Sequence, residues 1–105
     1  MIEPLEIKYR DFYDFPRMFV IGFGDGLLLF DGSFRDDLDD YPASYEVYVL
    51  PRLGESELEG SWSSLASKAS LHVGHVPTDQ VHFDSTRRLF VDGAAVRRLL
   101  PLAAA

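Results

Sequence analysis

The chain has 105 residues and no cysteine, which excludes a disulfide framework, a thiolate metal site and a nucleophilic thiol together. With 47% hydrophobic and 26% charged residues it falls among globular chains, and one domain over residues 1–105 is expected to close its core without metal or disulfide staples. The net charge is −7 and unevenly placed: residues 25–60 carry ten carboxylates against Arg35 and Arg52, whereas residues 61–105 carry five cations against three carboxylates. Such a field disfavours nucleic acid and anionic membrane as partners and suits a basic protein, and it also serves solubility.

The opening residues MIEPLEIKYRDF mix acidic and apolar side chains where a secretory signal has a basic start and a continuous apolar run. No stretch approaches the ~20 apolar residues of a membrane span, so a cytoplasmic protein is the expectation. Residues 3–10 alternate, Leu5, Ile7 and Tyr9 against Glu6, Lys8 and Arg10, which predicts a half-buried strand. Residues 15–23 and 27–30 are β-rich apolar runs around Gly24-Asp25-Gly26, whose Asp-Gly pair suits a tight hairpin. Both arms are apolar on both faces, so both must be covered, by the chain's own helices or by a second copy.

Residues 44–50 alternate again and stop at Pro51. Ser56-Glu-Leu-Glu59 has the spacing of a capping box, and Leu58, Trp62, Leu65, Ala66 and Ala69 form one helical stripe, with Gly60 a weak point near its start. Residues 71–91 read as short extended pieces ending in a strand at Leu89–Val91. Asp92 is placed to cap a closing helix with Val96, Leu99 and Leu100 inward, Arg97 and Arg98 in its last turn, Pro101 ending it and 103–105 a frayed tail. These elements predict an α+β domain: a curled antiparallel sheet of about five strands, with an open barrel as the close alternative, packed by the Trp62 helix and the C-terminal helix.

Several motifs test chemistry. Gly22-x-Gly24 lacks the third glycine of a dinucleotide fingerprint and leads into a strand; no Walker A or G-x-S-x-G sequence occurs, and no cofactor is implied. An EF-hand loop begun at Asp31 fails at Arg35, Asp36 and Pro42. In SFRDDLDDYP the spacing of Ser33 and Asp36, with Phe34, Leu38 and Tyr41 at i, i+4 and i+7, predicts instead a short helix that buries those three and leaves Asp36, Asp37, Asp39 and Asp40 in water. His72 and His75, three apart in an extended segment, are expected to point to opposite sides. His82 and Asp84, beside Ser85, form the one triad-like cluster, without a turn to present the serine. Thr86-Arg-Arg88 is read as facing the acidic segment.

Tyr9-Arg-Asp-Phe-Tyr-Asp-Phe-Pro-Arg17 interleaves aromatics, arginines and aspartates. It reads as a strand-to-strand corner whose rings cap the core and whose Arg10, Asp11, Asp14 and Arg17 pair with one another. The functional expectation is a non-catalytic interaction or regulatory module. Its surface would draw on Tyr9, Arg10, Phe12, Tyr13 and Arg17 and on Asp36, Asp37, Asp39 and Asp40, and its partner would be a basic protein or a second copy forming a homodimer. The competing readings are a small hydrolase using His82, Asp84 and His75, and a divalent-cation binder at Asp31 and Asp36–Asp40.

Overall fold

The computed structural model describes residues 4–62 and 65–103. The alternating N-terminal segment becomes two strands, β1 (Pro4–Glu6) and β2 (Lys8–Tyr13). They part at Ile7, whose N–H donates to the Leu89 carbonyl at 3.0 Å. β2, β3 (Phe15–Phe23), β4 (Gly26–Asp31), β5 (Ser44–Leu50) and β6 (Leu71–Pro77) form an antiparallel sheet in which spatial order follows chain order. β1 pairs with β7 (Phe90–Asp92) in a separate two-stranded ladder. The larger sheet stays open, with β2 and β6 as its edges, so the barrel alternative falls away.

Phe23 pairs with Gly26, leaving Gly24-Asp25 as a two-residue hairpin turn. Its positive φ, +57°, falls on Gly24, the first central position, as a type II′ turn requires, so the Asp-Gly pair is not what makes the turn. Gly26 is needed for another reason: a Cβ there would run into the Leu50 carbonyl oxygen.

The register sorts the side chains onto two faces. Phe19 lies opposite Phe30 and Ile21 opposite Leu28, while Val20 lies opposite Leu29. On the first face Phe19, Ile21, Leu28, Phe30, Tyr45 and Val47 are buried under Val91, Val96 and Leu99. On the second, Met18, Val20, Leu29 and Leu50 are buried under Leu58, Trp62 and Leu65. The chain therefore covers both faces with its own segments, and the sheet is the middle layer of three. At roughly 1.5–3 kcal/mol for each fully buried large apolar side chain, neither covering segment is dispensable.

The second cover departs from expectation. α1 spans only Glu55–Glu59, with Gly54 at its N-cap and no side-chain cap bond, so Ser56 lies inside the helix instead of capping it. Gly60 is extended (φ −79°, ψ −163°), and the Trp62 indole N–H donates to the Leu58 carbonyl at 2.7 Å. A continuing helix would have given that carbonyl to the backbone N–H of Trp62. The chain resumes as a 3-10 turn at Leu65–Lys68, where Leu65 is buried. Of the predicted stripe, Leu58, Trp62 and Leu65 are buried and Ala66 and Ala69 pack half-buried against them, while the single helix is not formed.

α2 runs Gly93–Ala103, and Asp92 Oδ1 accepts the Ala94 N–H at 3.2 Å as a cap should. The helix continues past Pro101 to Ala103, so the expected stop at the proline is not observed. Arg97 and Arg98 therefore sit mid-helix and not in its last turn. Of the predicted tail, Ala103 closes α2 and residues 104–105 lie outside the described residues. No described helix is long and apolar enough to cross a membrane.

Tyr45 is the hub of the larger core. Its ring meets Phe19 and Phe30 edge-on at 5.3 and 5.9 Å, those two rings stack at 4.6 Å, and its hydroxyl donates to the buried Pro16 carbonyl at 2.6 Å. Gly32 makes room, since a Cβ there would lie 3.0 Å from the Tyr45 ring. Burial pushes the Tyr45 hydroxyl above its ordinary value. Stability tied to neutral Tyr45 is therefore complete below the unfolded value of ~10 and is lost as pH rises beyond it. Tyr45→Phe should cost about 1–3 kcal/mol in chemical denaturation at neutral pH, by stranding the Pro16 carbonyl, and should make the alkaline loss of stability shallower.

Candidate functional site

The corner between β2 and β3 is turned by aspartates. Tyr13 pairs with Phe15 across a single residue, Asp14, which has φ +67°, and Asp11 has φ +60°. Aspartate tolerates this left-handed conformation better than most side chains, which explains its place among the rings. Among the described residues, the expected ion pairs of Asp11 and Asp14 with Arg10 and Arg17 do not form.

Both arginines hold carbonyls and aromatic faces instead. Arg17 is buried; its Nε donates to the Tyr13 carbonyl at 2.9 Å, and its guanidinium lies 3.9 Å from the Phe15 ring centre, 4.5 Å from Tyr41 and 5.5 Å from Tyr13. Arg10 donates to the Tyr9 and Leu58 carbonyls at 2.8 and 2.6 Å and lies 4.7 Å over Trp62. Guanidinium is flat and weakly hydrated, so stacking on rings is a stable alternative to pairing with an acid.

The acidic stretch is a turn and not a helix. The Arg35 N–H donates to the Asp40 carbonyl at 2.9 Å, Asp39 takes φ +52°, and Phe34 and Leu38 remain 45% and 52% exposed. With no helix there, the i, i+4, i+7 spacing cannot gather Phe34, Leu38 and Tyr41 onto a buried face. Arg35 grips Asp37 with both ends of its fork, Nε to Oδ1 at 3.0 Å and Nη2 to Oδ2 at 2.6 Å. That bond holds the Asp37 carboxyl below its usual range. Asp36, Asp39 and Asp40 are left facing solvent, with Asp40 Oδ1 accepting the Tyr41 N–H at 2.7 Å.

Tyr41 joins the two regions. Its ring stacks on Tyr13 at 5.3 Å, receives the edge of Phe34 at 5.4 Å, and its hydroxyl donates to Asp11 at 3.2 Å. Burial and the Asp11 carboxylate push that hydroxyl up. The result is a contiguous aromatic surface, Tyr13–Tyr41–Phe34, rimmed by Asp11 and the acidic turn. Tyr13 is 58% exposed, the highest value in the group. Sequence reasoning named Tyr13, Arg17 and the four aspartates but missed Tyr41 and Phe34, having assigned both to a buried helix face.

The remaining predicted surface residues lie elsewhere. Tyr9 is half-buried against the larger core, and Phe12 lies under the Arg88 guanidinium at 4.2 Å. Arg87 donates to the Asp14 carbonyl at 3.0 Å. The Arg87–Arg88 pair thus braces the corner and does not face the acidic turn.

The histidines occupy two places. A β-bulge falls between His72 and His75, where Gly74 has φ +146°, so His75 lies opposite Glu46 and His72 opposite Tyr48. The two histidines therefore share a face, contrary to expectation, because the bulge inserts a residue that strict alternation does not count. His72 Nε2 meets Glu46 Oε2 at 2.8 Å and stacks on Tyr48 at 4.7 Å. A groove of about 470 Å³ beside them is lined by Asp31, Arg35, Leu38, Glu46 and His75. Its Asp31 Oδ1 accepts from both the N–H and the hydroxyl of Ser33, at 3.1 and 2.7 Å. Among the described residues no three His, Asp or Glu side chains are placed to hold a metal ion together.

Asp84 serves its own loop. Oδ2 accepts the Thr86 hydroxyl at 2.6 Å and Oδ1 the Phe90 N–H at 3.2 Å, and these bonds hold the carboxyl below its usual range. Neither oxygen is given to His82, whose side chain is exposed.

No family model matches the chain, and neither a curated protein nor a solved structure does. The geometry of the corner makes its own test. Arg17→Lys removes the Nε–H···O bond and the flat stack and should cost about 1–3 kcal/mol in denaturant titration. Asp14→Asn should change stability by less than about 0.5 kcal/mol, because asparagine also tolerates the turn and no ion pair is lost.

Proposed function

We propose that the protein is a non-catalytic interaction module whose contact surface is the Tyr13–Tyr41–Phe34 patch with its acidic rim. What carries this reading is the meeting of two sequence-distant segments in one exposed aromatic surface, Tyr13 stacked on Tyr41 at 5.3 Å and Phe34 edge-on to Tyr41 at 5.4 Å. Aromatic rings offer large contact area at low entropic cost and are what interfaces concentrate. Because Arg17 lies beneath the rings, the patch is stiffened before any partner arrives, which lowers the ordering cost of binding. The rim sets the partner's chemistry. Asp36, Asp39 and Asp40 reach solvent while Arg35 is engaged by Asp37, so a segment bearing lysine or arginine beside an apolar side chain is the complement.

Selection of random displayed peptides on the purified protein should enrich sequences that place lysine or arginine next to an apolar residue. Affinity of the winners should fall at least about tenfold on Tyr13→Ser/Phe34→Ser and weaken as ionic strength rises. Winners without basic residues, or equal binding to the double variant, would remove the reading.

A further inference from the structure

One groove of this acidic protein is basic. It encloses about 450 Å³ beside β2 and α1, and Lys8, Arg10 and Arg88 line it, with Glu59 its one carboxylate among the described residues. None of the three cations forms a salt bridge among the described residues. Two are nonetheless held in place. Arg10 is fixed by the Tyr9 and Leu58 carbonyls at 2.8 and 2.6 Å and by the face of Trp62, and Arg88 rests on the Phe12 ring at 4.2 Å.

Carbonyls and rings orient a guanidinium without neutralising it. Each has five N–H donors, and Arg10 spends two of them in these bonds. The groove therefore presents two oriented guanidinium groups and Lys8 against a single carboxylate, Glu59, and the two arginines have little side-chain freedom left to lose when an anion arrives.

We propose that this groove binds a phosphomonoester. A dianion with three oxygens matches two planar forks and an ammonium better than a single carboxylate does, and arginine meets phosphate with paired hydrogen bonds. A nucleic acid would bring a run of phosphates against the net charge of −7, whereas one terminal phosphate avoids that repulsion. A phosphorylated side chain of a partner segment and a small free ester offer the same group. The site is distinct from the Tyr13–Tyr41–Phe34 patch and stands or falls independently of it.

Trp62 is the sole tryptophan and lies under Arg10, so its fluorescence reports on the groove, with calorimetry as a second readout. The probes are phenyl phosphate, a phosphoserine peptide with its unphosphorylated twin, and inorganic phosphate. Saturable binding of an ester is expected, weakened about tenfold or more by Lys8→Ala and by Arg88→Ala and tightened by Glu59→Gln. A preference for the phosphopeptide assigns the group to a partner segment, and a preference for phenyl phosphate assigns it to a free ester. No saturable binding of either ester up to about 10 mM, binding of inorganic phosphate alone, or equal affinity in wild type and all three variants overturns the proposal.

Discussion

A sheet that is apolar on both faces cannot stand in water, and the rest of this fold follows from how a short chain covers it. β3 and β4 send buried side chains to both sides: Phe19, Ile21, Leu28 and Phe30 to one, Met18, Val20 and Leu29 to the other. α2 with the β1–β7 ladder closes the first side. α1, Trp62 and the Leu65 turn close the second. Within the sheet each strand pairs with the one that follows it there, but α1, Trp62 and the Leu65 turn lie between β5 and β6 in the chain, so that pairing is long-range, with Ser44 opposite Pro77. What the covers do not reach is left at the surface, and Tyr13, Phe34 and Leu38 are prominent among those exposed residues.

Arginines make the links between these layers. Arg17 lies under Tyr13, Phe15 and Tyr41 and supports the aromatic patch; Arg10 spans from β2 to α1 and Trp62; Arg88 reaches Phe12 from the loop before β7. Choosing rings and carbonyls over carboxylates has an electrostatic consequence. The corner aspartates and Asp36, Asp39 and Asp40 of the acidic turn are left facing solvent, with only Asp37 taken up by Arg35, and the cations beside β2 likewise stay out of salt bridges among the described residues. The molecule thus carries an acidic aromatic patch and a separate basic groove, both built on β2 and the corner that follows it.

Much of the fold was legible because its signals are local. Apolar β-rich runs placed β3 and β4 closely and alternation placed β5, and the double apolar character of the hairpin announced that both faces would be covered. The stripe Leu58, Trp62, Leu65, Ala66 and Ala69 does face the second core, its first three residues buried and the two alanines half-buried, yet it is not one helix, because burial periodicity cannot show that the Leu58 carbonyl takes a side-chain donor where the helix would have continued. The acidic turn failed for a related reason. Phe34, Leu38 and Tyr41 have helical spacing, but the Arg35–Asp40 pairing and a left-handed Asp39 compete with the helix and win. Half of the candidate site was named from composition, while its organising residue was not. Nothing in the sequence says that Tyr41 meets Tyr13, since that contact depends on how the β4–β5 connection folds back over the corner. The histidine geometry turned on one bulge, which leaves Val73 between the paired Gly74 and His72 and which alternation cannot foresee.

Both apolar faces are covered within one chain. The most direct measurement is the thermal midpoint as a function of protein concentration, with sedimentation equilibrium at the same concentrations. A face covered by another copy would stabilise the native state by mass action. The midpoint should stay unchanged from about 1 to 100 μM, because no intermolecular term enters the stability of such a fold. A midpoint that climbs with concentration, alongside a self-associating species, would contradict it.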